Sequence, residues 1–292
     1  MHIGDGRDCK RGGWLRPGAA ACAAILAAVA AALAAGAGCA PRGEATVGLE
    51  AYRLVAGPKR VEGVGDNLSG LSYDARTGTL WAVLNGPETL LEMTPDGRVV
   101  RTVALAGGDT EGVEVLGDGR LAVVEELTGR LVVFRLVESG GETGVDAASV
   151  QSLQVEDEPG GNTGLEGLAY DAAGRQFFIV KEKNPPRLYE IRLAGAGDDL
   201  AGAEVRTLWE FGEATVAIDD AAGCHYDPRT GHLLVVSDES ACVVECTLEG
   251  REVGRLAVAG VPKAEGVTLD ADGALYVVSE PNLFMVYRKK GN

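Results

Sequence analysis

Histidine is scarce in this chain, three residues in 292, and only His225 and His232 lie beyond the N-terminal segment. That leaves no histidine cluster for a zinc centre and no imidazole that recurs as a general base. Cysteine is equally thin where it could matter. Of six, Cys9 and Cys22 fall in the first forty residues and Cys39 closes them, so Cys224, Cys242 and Cys246 remain. An odd set excludes a full disulfide framework and leaves one disulfide or three buried thiols open. No second cysteine pair supports metal binding by these three, and no Gly-x-Ser-x-Gly nucleophile motif occurs. Aromatic residues make up 5%. Basic residues are outnumbered, 27 against 43 acidic. Without residues 1–38 the balance is 23 against 41, a formal charge of −18, which excludes nucleic acid and an anionic membrane surface as partners.

The first forty residues form a segment of their own. Arg7, Lys10, Arg11 and Arg16 give a basic start, and residues 18–38 are uncharged and mostly alanine. A basic region, an apolar run and a small-residue exit describe an export signal, although the run is also long enough to span a bilayer. Residues 33–39, LAAGAGC, resemble a bacterial lipobox, with Gly36 where leucine is usual. The expectation is a signal over 1–38, lipidation of Cys39, a tether over 39–47 and a β-domain over 48–292. A cleaved secreted form and an uncleaved helical anchor are the alternatives. All three place the domain in the cell envelope, outside the cytoplasmic membrane, as a periplasmic or outer-membrane lipoprotein or its equivalent.

Beyond the tether the chain repeats. SGLSYDARTGTLWAVLN, EGVEVLGDGRLAVVEE, EGLAYDAAGRQFFIVKE, AGCHYDPRTGHLLVVSD and EGVTLDADGALYVVSE share one pattern, with glycines at 70, 112, 167, 223 and 266. The spacings of 42, 55, 56 and 43 residues suit four-stranded blades. Apolar runs such as 80–84 and 233–236 read as strands, and Thr77-Gly78, Asp118-Gly119, Thr230-Gly231 and Asp272-Gly273 as hairpin turns. The fifth unit ends after its third strand, 283–288, while an unmatched strand, 49–55, precedes the first. Pairing the two closes the ring and removes a sheet edge. The expected fold is all-β: a monomeric five-bladed β-propeller of four-stranded antiparallel blades, closed by an N-terminal strand. The glycine-rich stretches 138–146 and 194–203 read as loops within blades.

Alignment of the units exposes two polar columns. Before the shared glycine stand Ser69, Glu111, Glu166, Ala222 and Glu265; after the second strand stand Asn85, Glu126, Glu182, Asp238 and Glu280. The start of one strand and the end of its antiparallel neighbour share a sheet edge, so both columns converge on one channel mouth. Seven carboxylates there repel one another unless Lys181, Lys183 and Lys263 or a hard cation neutralise them. A histidine-free, oxygen-rich set suits Ca²⁺ before Mg²⁺. The candidate ligands are Glu111, Glu166, Glu265, Glu126, Glu182, Asp238 and Glu280. The alternative is a solvated rim of strand-capping acids. His225 and His232 read as structural or solvent-exposed.

The segments NLSGLSYD, NTGLEGLAYD, GCHYDPRTGHLLVVSDES and AEGVTLDADGALYVVSEP resemble the SdiA-regulated (YjiK-like) family of bacterial exported proteins, over about residues 49–289. The resemblance implies a five-bladed propeller with a calcium site and no settled activity. Ser69 and Ala222 depart from the acid-glycine pattern, which argues for an off-axis site. The expected function is an envelope-anchored propeller that binds Ca²⁺ and presents a surface to an envelope protein or small ligand. The rival is a metal-dependent hydrolase, a phytase-like esterase or lactonase, with a glutamate as base and lysines on an anionic substrate.

Overall fold

The computed structural model describes residues 45–157, 163–195 and 199–291. The signal 1–38 and the lipidation candidate Cys39 lie outside the described residues. The chain enters through a 3₁₀ turn at Leu49–Ala51 and strand β1, Tyr52–Arg60. Blade 1 follows as β2, Leu68–Asp74; β3, Thr79–Leu84; β4, Thr89–Met93; and β5, Val99–Ala104. Blade 2 holds β6, Thr110–Gly117; β7, Arg120–Glu125; β8, Arg130–Ser139; β9, Glu142–Val145; and β10, Gln151–Gln154. Blade 3 holds β11, Leu165–Asp171; β12, Gln176–Lys181; β13, Arg187–Arg192; and β14, Glu204–Glu210. Blade 4 holds β15, Gly223–Asp227; β16, His232–Ser237; β17, Cys242–Cys246; and β18, Glu252–Ala257. Blade 5 holds β19, Ala264–Leu269; β20, Leu275–Ser279; and β21, Leu283–Lys289. The sheet order β1-β21-β20-β19 makes β1 the outer strand of that last blade. Its register runs from Tyr52 opposite Lys289 to Arg60 opposite Leu283. The result is a closed five-bladed propeller, as the repeats require.

Two expectations about elements are corrected. Residues 49–51 belong to the 3₁₀ turn, and the closing strand runs on to Arg60. Residues 138–146 are a hairpin extension of β8, not a loop, with Ser139 opposite Glu142. Gly140 and Gly141 both have positive φ, 64° and 89°, which a two-residue hairpin turn demands. The open question about the cysteines closes too: Cys224, Cys242 and Cys246 are free and buried. Among the described residues no helix is long and apolar enough to cross a membrane.

The central strands are continuous apolar runs whose successive side chains pack to opposite sides, Leu234 and Val236 to one neighbouring blade and Leu233 and Val235 to the other, so there are five cores, one at each blade interface. Phe178, Val180 and Leu188 of blade 3 meet Cys224, Leu233 and Val235 of blade 4. Val47 and Leu49 join Val243 and Val277 in the core between blades 4 and 5. The entry is also held by hydrogen bonds. The backbone N–H groups of Val47 and Gly48 donate to the buried Glu245 carboxylate at 2.7 and 3.3 Å, and His232 Nδ1 bonds the same group at 2.7 Å.

At the axis the shared glycines do steric work. A Cβ on Gly112 would stand 2.5 Å from the Glu166 carbonyl oxygen, and one on Gly70 2.6 Å from that of Glu111. Each inner strand therefore touches the backbone of the next, and the ring of glycines leaves no room for a water molecule. This pinch divides the channel into an upper cup and a lower half. In the lower half Ser72 Oγ donates to Glu114 Oε1 at 3.0 Å, and Thr268 Oγ1 bonds His225 Nδ1 at 3.2 Å. Burial pushes Glu114 up to about 8 and His225 down to about 4, which favours the neutral form of each near pH 7. His232 is buried at 4% exposure and His225 is partly buried against Thr268, so both read as structural.

Candidate metal centre

Above the glycine ring lies a cup of about 550 Å³. Its first column is aimed by a repeated irregularity. In β6 the register passes from Thr110 to Gly112, in β11 from Leu165 to Gly167 and in β19 from Ala264 to Gly266. Glu111, Glu166 and Glu265 are the extra residues of three β-bulges, which turn their side chains out of the ladder and into the mouth. The second column follows the second strands. Glu126 N–H donates to Asp109 O at 2.8 Å and Glu182 N–H to Gly164 O at 2.9 Å, fixing where those side chains start.

All seven candidate ligands line this cup, but they are not equivalent. Carboxylate oxygens of Asp109, Glu111 and Glu126 lie within 4.8 Å of one another, and so do those of Glu126, Glu166 and Glu182. Glu265, Asp238 and Glu280 belong to neither group. Glu280 receives the Lys263 ammonium, and Asp238 accepts the Ala264 N–H at 3.3 Å. The lysines also divide. Lys183 and Lys263 reach the cup, but Lys181 does not. It is buried against Glu156 at 3.1 Å, with Tyr189 donating to the same carboxylate at 2.7 Å. The reason is strand alternation: Lys181 points to one face of blade 3 and Glu182 to the other.

Asp109 and Asp220 line the cup without having been singled out from the sequence. The signal was present two residues before the acid column, where the repeats hold Asn67, Asp109, Gly164, Asp220 and Lys263. This third column meets the second in blades 1, 2, 3 and 5, while in blade 4 Asp220 accepts from Ser237 Oγ and Glu239 N–H instead. In blade 1 Asn67 Nδ2 donates to Asn85 Oδ1 at 2.6 Å, and in blade 5 Lys263 meets Glu280. The first pair is neutral, with Asn85 Nδ2 also donating to Glu111, and the second is an ion pair. In blade 2 the same place brings two carboxylates together, Asp109 and Glu126. Glu88 supports that arrangement by accepting the Asp109 and Thr110 N–H groups at 3.0 and 3.2 Å.

The electrostatic consequence is large. Nine carboxylates and two lysines line the cup among the described residues. Burial, eased by Ser69 and Asn85 donating to it, pushes Glu111 up to about 8. Burial, opposed by the Gly164 N–H and assisted by Asp109, pushes Glu126 up to about 7. Burial and the neighbouring Glu280 and Glu111 push Glu265 up to about 9. Glu166 is the extreme case. It is 8% exposed, burial and then Glu111, Glu265, Glu126 and Glu182 all raise it, and no donor among the described residues reaches it.

A family model described as SdiA-regulated matches residues 44–288. The chain belongs to the SdiA-regulated family. Solved structures share the fold of this SdiA-regulated chain at low identity. A structural-genomics protein of unknown function from Bacteroides thetaiotaomicron is 13% identical, with TM-score 0.51, over 78% of this chain and 58% of its own. A luciferin-regenerating enzyme is 13% identical, with TM-score 0.50, over 80% and 94%. A chain of a nidogen/laminin complex is 15% identical, with TM-score 0.50, over 74% and 73%. At such identities these structures support the propeller fold of the SdiA-regulated chain and nothing finer.

Proposed function

We infer that this chain is an exported propeller that binds a divalent cation, Ca²⁺, in the carboxylate cup and presents that face to a ligand or envelope partner. Glu166 carries the reading. Among the described residues no donor reaches this carboxylate and four others ring it, so a proton, or a cation placed among them, would relieve it. The donors in the cup are carboxylate, amide and ammonium groups, without histidine or cysteine, which is the chemistry of a hard cation. Its lining holds no aromatic face for an organic cation. Lys183 is engaged by Glu182 and Glu239 at 2.7 and 2.9 Å, and Lys263 by Glu280, so both ammonium groups already serve the acids of the cup. That favours cation binding over the hydrolase.

Export and anchoring belong to the same proposal. Ala45 lies beside the hairpin turns at Asp227–Thr230 and Asp272–Gly273, the face opposite the cup. The six residues after Cys39 span at most about 20 Å. A lipid on Cys39 would hold that face to the membrane and leave the cup open to solution. The test is thermal melting in Ca²⁺ and in chelator. A hundredfold excess over the dissociation constant adds about 2.7 kcal/mol. For a domain of this size that is roughly 5–10 °C. Identical melting in both solutions would overturn the calcium reading.

A further inference from the structure

We propose that the cup holds two cations rather than one, bridged by the Glu126 carboxylate. The proposal rests on the calcium reading above and goes beyond it in number and arrangement. Oxygens on opposite sides of one Ca²⁺ stand about 4.6–5.2 Å apart, twice the bond length. All ligands of one ion must fit within that span. Within 4.8 Å, inside that range, the five clustered carboxylates fall into two sets rather than one. Asp109 and Glu111 group with Glu126, Glu166 and Glu182 group with Glu126, and Glu126 alone belongs to both. A carboxylate shared by two ions about 3.5–4 Å apart is the usual bridge of a two-metal site.

The two positions have different surroundings. The first lies within blade 2, where the third and second columns bring Asp109 to Glu126 in place of the neutral pair of blade 1 and the ion pair of blade 5. The second spans blades 2 and 3 and contains Glu166, the buried carboxylate that no donor reaches. Glu126 Oε1 accepts the Gly164 N–H at 2.7 Å, which fixes the carboxylate between the two groups. Charge argues the same way. With nine carboxylates against two lysines, one dication leaves the cup at a formal −5 and two leave it at −3. The glycine ring closes the floor, so both ions enter from the open mouth.

Isothermal titration of Ca²⁺ into the metal-free chain reads the number directly, with chelator melts showing that each variant is folded. The expected stoichiometry is two for the parent and one for Asp109→Asn, which strips the first position. It is one for Glu166→Gln, which strips the second, and Glu126→Gln weakens both steps by tenfold or more. A parent stoichiometry of one, or two ions retained in Asp109→Asn, overturns the bridge and leaves the single-cation reading standing. No binding to the parent overturns both.

Discussion

Glu166 is where the chemistry of the cup is most exposed to test. Replacing it with glutamine keeps the shape of the protonated acid and removes the anionic form that a cation would need. In chelator Glu166→Gln should melt close to the parent, because burial and the neighbouring carboxylates already hold the ion-free acid toward its neutral form. In Ca²⁺ its gain should shrink to half or less. The same change at Glu138, an exposed acid held by Arg101 at 2.7 Å, should leave the calcium response intact. Scanning calorimetry of the three proteins separates these outcomes. The raised acids also predict a pH dependence. Glu111 and Glu126 titrate at about 8 and about 7 in the folded chain, above the ordinary 4.5. The ion-free fold therefore binds their protons more tightly than the unfolded chain does. Their stabilisation is complete below about pH 4.5 and is lost as pH rises through 7–8. Under the calcium proposal the ion displaces those protons, so its affinity should rise over the same window. Titrations at pH 7 in two buffers of different ionisation heat should show proton release; equal heats would contradict it.

At the scale of elements, the glycine ring and the closing strand make the strongest claims. Gly223 has no positive φ, so an alanine there is penalised by packing alone, against the Glu265 carbonyl. Gly223→Ala should cost about 1–3 kcal/mol or more, while Gly195→Ala, which meets nothing within 4 Å, should cost little. Urea unfolding of both checks the contrast. Deleting the chain through Arg60 removes Val47, Leu49 and Tyr52 from their core and opens the ring. The loss should be on the order of 5 kcal/mol. A truncated protein as stable as the parent would refute closure by β1. These elements were legible because steric need writes itself into sequence. Glycines recur where inner strands touch, and hairpin turns where φ must be positive. What escaped was set by alternation and by long-range contact. Lys181 looked like a cup residue because it neighbours Glu182, yet one step along a strand reverses the side chain. Asp109 and Asp220 sat at the same repeat position as an asparagine, a glycine and a lysine, so no residue type flagged the column. The 138–146 hairpin hid behind its glycines, which mark loops as readily as tight turns.

For the molecule as a whole, the lipid anchor proposed at Cys39 is the part most open to a direct test. Fatty-acid labelling should be present in the parent and lost in Cys39→Ser; equal labelling of both would end the lipoprotein proposal. The propeller itself is a scaffold of five interblade cores whose bulges deliver acids to one mouth and whose glycines seal it below. The central claim is that this sealed cup is built for a cation. The most direct measurement is anomalous scattering from a calcium-soaked crystal. The account predicts a peak about 2.3–2.6 Å from carboxylate oxygens of Glu126 and Glu166. A cup filled only with water at saturating Ca²⁺, with Glu166 keeping its proton, would contradict it.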